Sequence, residues 1–121
     1  MAEIQSTKHY DLEKRTLAFA RDTRIFVSRL SKTVANIEDI KQLVRASGSV
    51  GANYIEANES LGKKDFIMKI KISRREAKES KYWLTLINVG SDNYLMDTQN
   101  KLIKEATELM MIFGSIFRKS E

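Results

Sequence analysis

Proline is absent from all 121 residues, and only five glycines interrupt the chain. Proline is the residue that ends or kinks a helix, so a chain without it can run in long unbroken helices. The apolar residues bear this out: they recur at helical rather than alternating spacing, and no segment reads as a strand. A first helix is expected to open at Asp11, a good N-cap, and to run to about Thr33. Leu12, Phe19, Phe26, Val27, Leu30 and Val34 fall on one side of it, with Thr16, Ala20 and Thr23 filling the same stripe.

Asn36 is a candidate cap for a second helix, with Asp39 three residues later. Its apolar side would hold Ile37, Ile40, Leu43, Val44, Ser47, Gly51, Tyr54, Ile55 and Asn58. The run Ser47-Gly48-Ser49-Val50-Gly51-Ala52 is unfavourable in an isolated helix, since each Gly costs about 1 kcal/mol against Ala. The apolar period nevertheless continues through it into Tyr54. That favours one unbroken helix over a break, with Gly48 and Gly51 admitting a close neighbour. Ser60-Leu61-Gly62 makes the next turn, a third helix spans about Lys63 to Asn88, and Gly90 ends it. A fourth starts near Asp97 and carries Leu102, Ala106, Leu109, Met110, Phe113, Ile116 and Phe117 on one face. Amphipathic helices with short connections imply an all-α, antiparallel up-down four-helix bundle. Residues 1–121 form one domain in this reading, with 1–10 a frayed segment that includes the lone histidine, His9.

The third helix differs from the others in having two apolar stripes. Phe66, Ile70, Ala77 and Leu84, with Ser73 between them, should face the bundle. Met68, Ile72, Trp83 and Leu86 form a second stripe roughly 120–160° away around the axis. A long helix burying a broad face inside its own bundle would explain this stripe, and so would an oligomer interface. Beside it lies a basic track of Lys64, Lys71, Arg74, Arg75 and Lys78, with Tyr82 at its end. Residues 63–81 hold eight cations against three carboxylates, which accounts for the whole net charge of +5. Charge runs are usually solvated faces, but an excess concentrated on one helix is also what a phosphate-binding surface needs.

Catalytic chemistry finds little support. The absence of Cys excludes a disulfide framework, a thiolate zinc site and a cysteine nucleophile. No metal or cofactor motif is visible: Gly62-Lys63-Lys64 lacks the rest of a phosphate loop, and Gly48-Ser49-Val50-Gly51 follows no strand. Glu56, Glu59 and Glu79 could be paired as carboxylates, yet nothing predicts a pocket around them; Glu56 more naturally meets a cation such as Arg75. No apolar run approaches the roughly 20 residues that span a bilayer, and the first residues lack the basic and apolar regions of a signal peptide. A cytoplasmic, non-enzymatic protein with no cofactor is therefore expected.

Gln42-Leu43, the stretch from Ser47 to Asn58, Lys63-Lys64-Asp65-Phe66, Arg75-Glu76-Ala77-Lys78-Glu79-Ser80 and Tyr82-Trp83-Leu84 form a specific set. In these motifs the chain resembles the four-helix-bundle family named for proteins encoded in 23S ribosomal RNA intervening sequences. The likeness covers about Phe19 to Asp92, departing at Gly62, where a capping Ser would be expected. It implies a ring, typically a homopentamer. It also extends to the similar accessory proteins of diversity-generating retroelements, which look like basic pentameric barrels that bind nucleic acid and a reverse transcriptase. It supplies no catalytic residues. The expected role is an oligomeric nucleic-acid-binding accessory protein, with RNA or DNA as partner; a partner-binding protein scaffold is the alternative.

Overall fold

The computed structural model contains four helices: α1 (Ala2–Ser28), α2 (Val34–Asn58), α3 (Lys63–Leu86) and α4 (Asn93–Ser120). It describes the backbone from Ala2 to Glu121 and side chains from Asp11 onwards, so His9 and the expected frayed segment 1–10 lie outside the described side chains. Each helix packs against its sequence neighbours, and α1 closes the bundle against α4, giving the expected all-α up-down arrangement. The α2–α3 and α3–α4 contacts are the most extensive, which places α3 between its two main partners.

Phe19, Phe26, Leu43, Val50, Ile70, Leu84, Leu109 and Phe113 fill the core, with Tyr54 packed edge-on to Phe113 at 5.6 Å between ring centroids. The predicted stripes of α1, α3 and α4 face this core. Two positions are corrected: Val34 is exposed and begins α2, and Asp11 sits inside α1 rather than capping it. In α2 the buried side is rotated from expectation. Ala46, Val50 and Ala57 are buried, whereas Ile37 and Ile55 are exposed. The small residues turn inward because they let the neighbouring helices come close.

α2 is unbroken through its glycines. A Cβ at Gly51 would lie 2.8 Å from Thr16 Oγ1 and 3.1 Å from Thr16 Cβ, closer than real contacts allow. Thr16 is buried, and its hydroxyl donates to the carbonyls of Leu12 and Glu13 at 3.0 Å, so it has no room to yield. Gly48 is different: a Cβ there would meet the mobile guanidinium tip of Arg24 at 3.3 Å. Gly51→Leu is therefore expected to cost on the order of 1–3 kcal/mol by overpacking. A thermal melt that coincides with the parent's would contradict this contact.

The helix caps differ in part from expectation. Thr33, not Asn36, caps α2, its hydroxyl accepting from the Asn36 N–H at 3.1 Å. Asp92 caps α4 by accepting from the Leu95 N–H at 3.0 Å, so that helix begins four residues before Asp97. Gly90 adopts φ +68 in the turn before it, a left-handed conformation suited to glycine. Asn36 is only 2% exposed. Its Nδ2 donates to the carbonyls of Ser31 (3.0 Å) and Asn88 (2.9 Å), while its Oδ1 accepts from the Asn88 N–H (3.1 Å). One side chain thus ties the α1–α2 connection to the α3–α4 connection.

Candidate nucleic-acid and oligomer interface

Helix α3 has its register against α2 fixed by a series of polar contacts. Ser73 Oγ donates to the Val50 carbonyl at 2.9 Å, and Lys69 Nζ to Glu56 Oε1 at 3.0 Å. Arg45 reaches across to Glu76, its Nη1 donating to Oε2 at 3.3 Å and its Nη2 to Oε1 at 3.2 Å, and Nη2 also donates to Glu79 Oε1 at 3.2 Å. Against α4, Lys71 Nζ lies 4.8 Å from the Phe117 ring centroid. Gln99 Nε2 donates to the carbonyls of Leu84 and Ile87 at the C-terminal end of α3. The remaining sector of α3 faces outward.

The basic track runs along that outward sector and its edge towards α4, where Lys71 meets Phe117 and Arg74 passes beside Gly114. Lys64, Lys71, Arg74, Arg75 and Lys78 are all exposed. Among the described residues, Lys64, Lys71, Arg74 and Lys78 form no ion pair with a carboxylate. Arg75 is the exception, and its partner differs from expectation. It does not pair with Glu56, which Lys69 takes; Arg75 instead lies 3.7 Å from Glu76 and 4.0 Å from Glu79 on its own helix. Glu79 and Glu56 are thus each engaged by cations, not paired with one another as carboxylates.

The second apolar stripe is present but divided. Met68 is 60% exposed and Leu86 49%, whereas Ile72 and Trp83 are half-buried, Trp83 packing against the core. Between Ile72 and Trp83 stands the cluster of Arg45, Glu76, Glu79 and Arg75. Glu76 is 5% exposed, and its carboxylate is held by Arg45. The guanidinium of Arg45 is in turn held above its ordinary pKa, foremost by the hydrogen bond to Glu76. The outer surface therefore has two apolar ends around a charged middle. Glu76 and Glu79 were visible in sequence, but Arg45 comes from another helix, and no spacing within α3 reveals it.

Elsewhere, a cleft between α1 and α4 is lined by Asp22, Ile25, Arg29, Tyr94, Thr98 and Lys101 among others. Arg29 lies over the Tyr94 ring at 5.2 Å, and Lys101 pairs with Asp97 at 3.3 Å. No group of three or more His, Asp or Glu suited to a metal ion occurs among the described residues. Nor, among them, is any helix long and apolar enough to cross a membrane.

Comparison with known proteins places this geometry in a lineage. Residues 8–115 match the family model of the 23S rRNA-intervening sequence protein. The crystal structure of a protein of unknown function from the S23 ribosomal protein family of Bacteroides thetaiotaomicron is similar, with a TM-score of 0.68 and 28% identity. The likeness covers 87% of this chain and 96% of that one. No curated protein matches the sequence.

Proposed function

Since the chain belongs to the 23S rRNA-intervening sequence protein family, we propose that it is a non-enzymatic homo-oligomer, a pentamer, that binds nucleic-acid backbones. The observation that carries the reading is the outer sector of α3, where Lys64, Lys71, Arg74 and Lys78 stand exposed without carboxylate partners among the described residues. Cations left unneutralised in one row attract a polyanion and release its counterions on binding. Self-association would repeat the row around an axis, so that several copies engage one strand together. Met68 and Leu86, with Ile72 and Trp83 behind them, supply the apolar contact for that association. Ribosomal RNA, in the cytoplasm, is the candidate ligand to test first.

Phosphates carry no sequence information, so binding through this row is indifferent to base sequence. Lys71→Glu combined with Lys78→Glu is expected to weaken binding to unrelated RNA and DNA alike, by roughly tenfold or more at low salt, and to flatten the salt dependence. The control is Lys101→Glu with Lys104→Glu, which reverses the same number of charges on α4. Equal losses in both variants would reduce the row to overall charge. Undiminished binding in the α3 variant would place the nucleic acid elsewhere, and no binding by the parent protein would favour a partner-binding scaffold.

A further inference from the structure

We propose that the α3 surface selects single-stranded over double-stranded nucleic acid, with Tyr82 as the platform on which an unpaired base stacks. The inference rests on the nucleic-acid reading above and narrows its ligand class. Tyr82 follows Lys78 by four residues and Arg75 by seven, so it continues the cationic sector one turn further along the helix. It is 58% exposed. It is also braced: its ring meets Trp83 edge-to-face, at 5.1 Å between centroids and 77° between planes, and Trp83 is packed against the core.

The other described tyrosines are occupied differently. Tyr54 is buried against Phe113, and Tyr94, though 60% exposed, lies beneath Arg29 in the cleft between α1 and α4. Among the described tyrosines, only Tyr82 continues a helical row of several cations that lack carboxylate partners; the one cation at Tyr94, Arg29, already covers a face of its ring. Such a pairing of a phosphate-tracking row with a fixed aromatic surface is the arrangement by which single strands are held. A duplex keeps its bases stacked on one another and presents only phosphates to the row. A single strand offers phosphates and a free base face at once.

The test is a fluorescence-polarisation titration of the full chain with a labelled single-stranded RNA and with its own duplex, each over the same series of salt concentrations. The parent protein is expected to prefer the single strand. Tyr82→Leu should lose about fivefold or more of its single-strand affinity while leaving duplex affinity and the salt slope unchanged, because stacking releases no counterions. Tyr82→Phe should retain the preference, and Tyr94→Leu should leave it untouched. Equal affinity of the parent for both forms, or equal losses on both in Tyr82→Leu, would overturn the inference and leave backbone binding intact. Failure of the parent to bind either form would overturn both.

Discussion

Asn36→Leu is expected to lower the thermal midpoint by about 10 °C or more, although the side chains are similar in volume. The Asn36 amide makes three hydrogen bonds that no aliphatic group can replace. Leucine would leave the Asn88 N–H and the carbonyls of Ser31 and Asn88 without that partner, beside a side chain that is itself buried. Each lost bond costs about 0.5–1.5 kcal/mol, so the total is on the order of 3 kcal/mol. Asn36→Asp should also be destabilising, because it removes both donor bonds and points a carboxylate at two carbonyls. By contrast, Thr33→Ala removes one capping bond and should cost only about 1 kcal/mol. If calorimetry gave Asn36→Leu a midpoint equal to the parent's, the tie between the two connections would carry no stability.

That contrast shows which parts of the fold are legible in sequence. Absence of proline, the 3.6-residue period and the turn residues around Gly62 and Gly90 are local signals, and they specify the helices and their order. The continuity of α2 is also local, since its apolar period survives the two glycines. Asn36 is read as a cap by the same rules, because Asn commonly caps helices; its actual partner is 52 residues away at Asn88. The rotated face of α2 has a similar cause. Ala46 and Ala57 are weak markers of burial by themselves, and only the neighbouring helices decide that small residues lie inside and Ile37 and Ile55 outside.

The candidate site divides along the same line. The charge excess on α3 is a one-dimensional property, and the structure places all five cations of the track outside. Their pairing is three-dimensional. Arg75 is drawn to Glu76 and Glu79, and Lys69 takes Glu56, because the register between α2 and α3 sets which charges meet. The apolar stripe of Met68, Ile72, Trp83 and Leu86 is legible as a pattern, but its division by the Arg45 cluster is not.

Loss of the proposed association through that stripe is the second large expected effect. The parent is expected to scatter light as a species about five times the 13.9 kDa protomer. Met68→Glu with Leu86→Glu should shift it to smaller species without unfolding, since both side chains are exposed in the single chain. Trp83→Lys should reduce the mass as well, though it also removes packing against the core. Breaking the ring should separate the cationic rows and so remove their joint action on one strand.

The salt dependence of binding to single-stranded RNA brings both halves of the account into one number. For single strands, the logarithm of affinity falls against the logarithm of salt with a slope of about −0.7 per neutralised phosphate. The five cations of one protomer therefore limit a lone chain to a slope of about −3.5. A steeper slope is expected for the parent if several protomers engage the same strand, and a slope no steeper than that limit for the Met68→Glu, Leu86→Glu variant. A parent slope no steeper than about −3.5 would contradict joint binding by several protomers, and one near zero would contradict backbone binding itself.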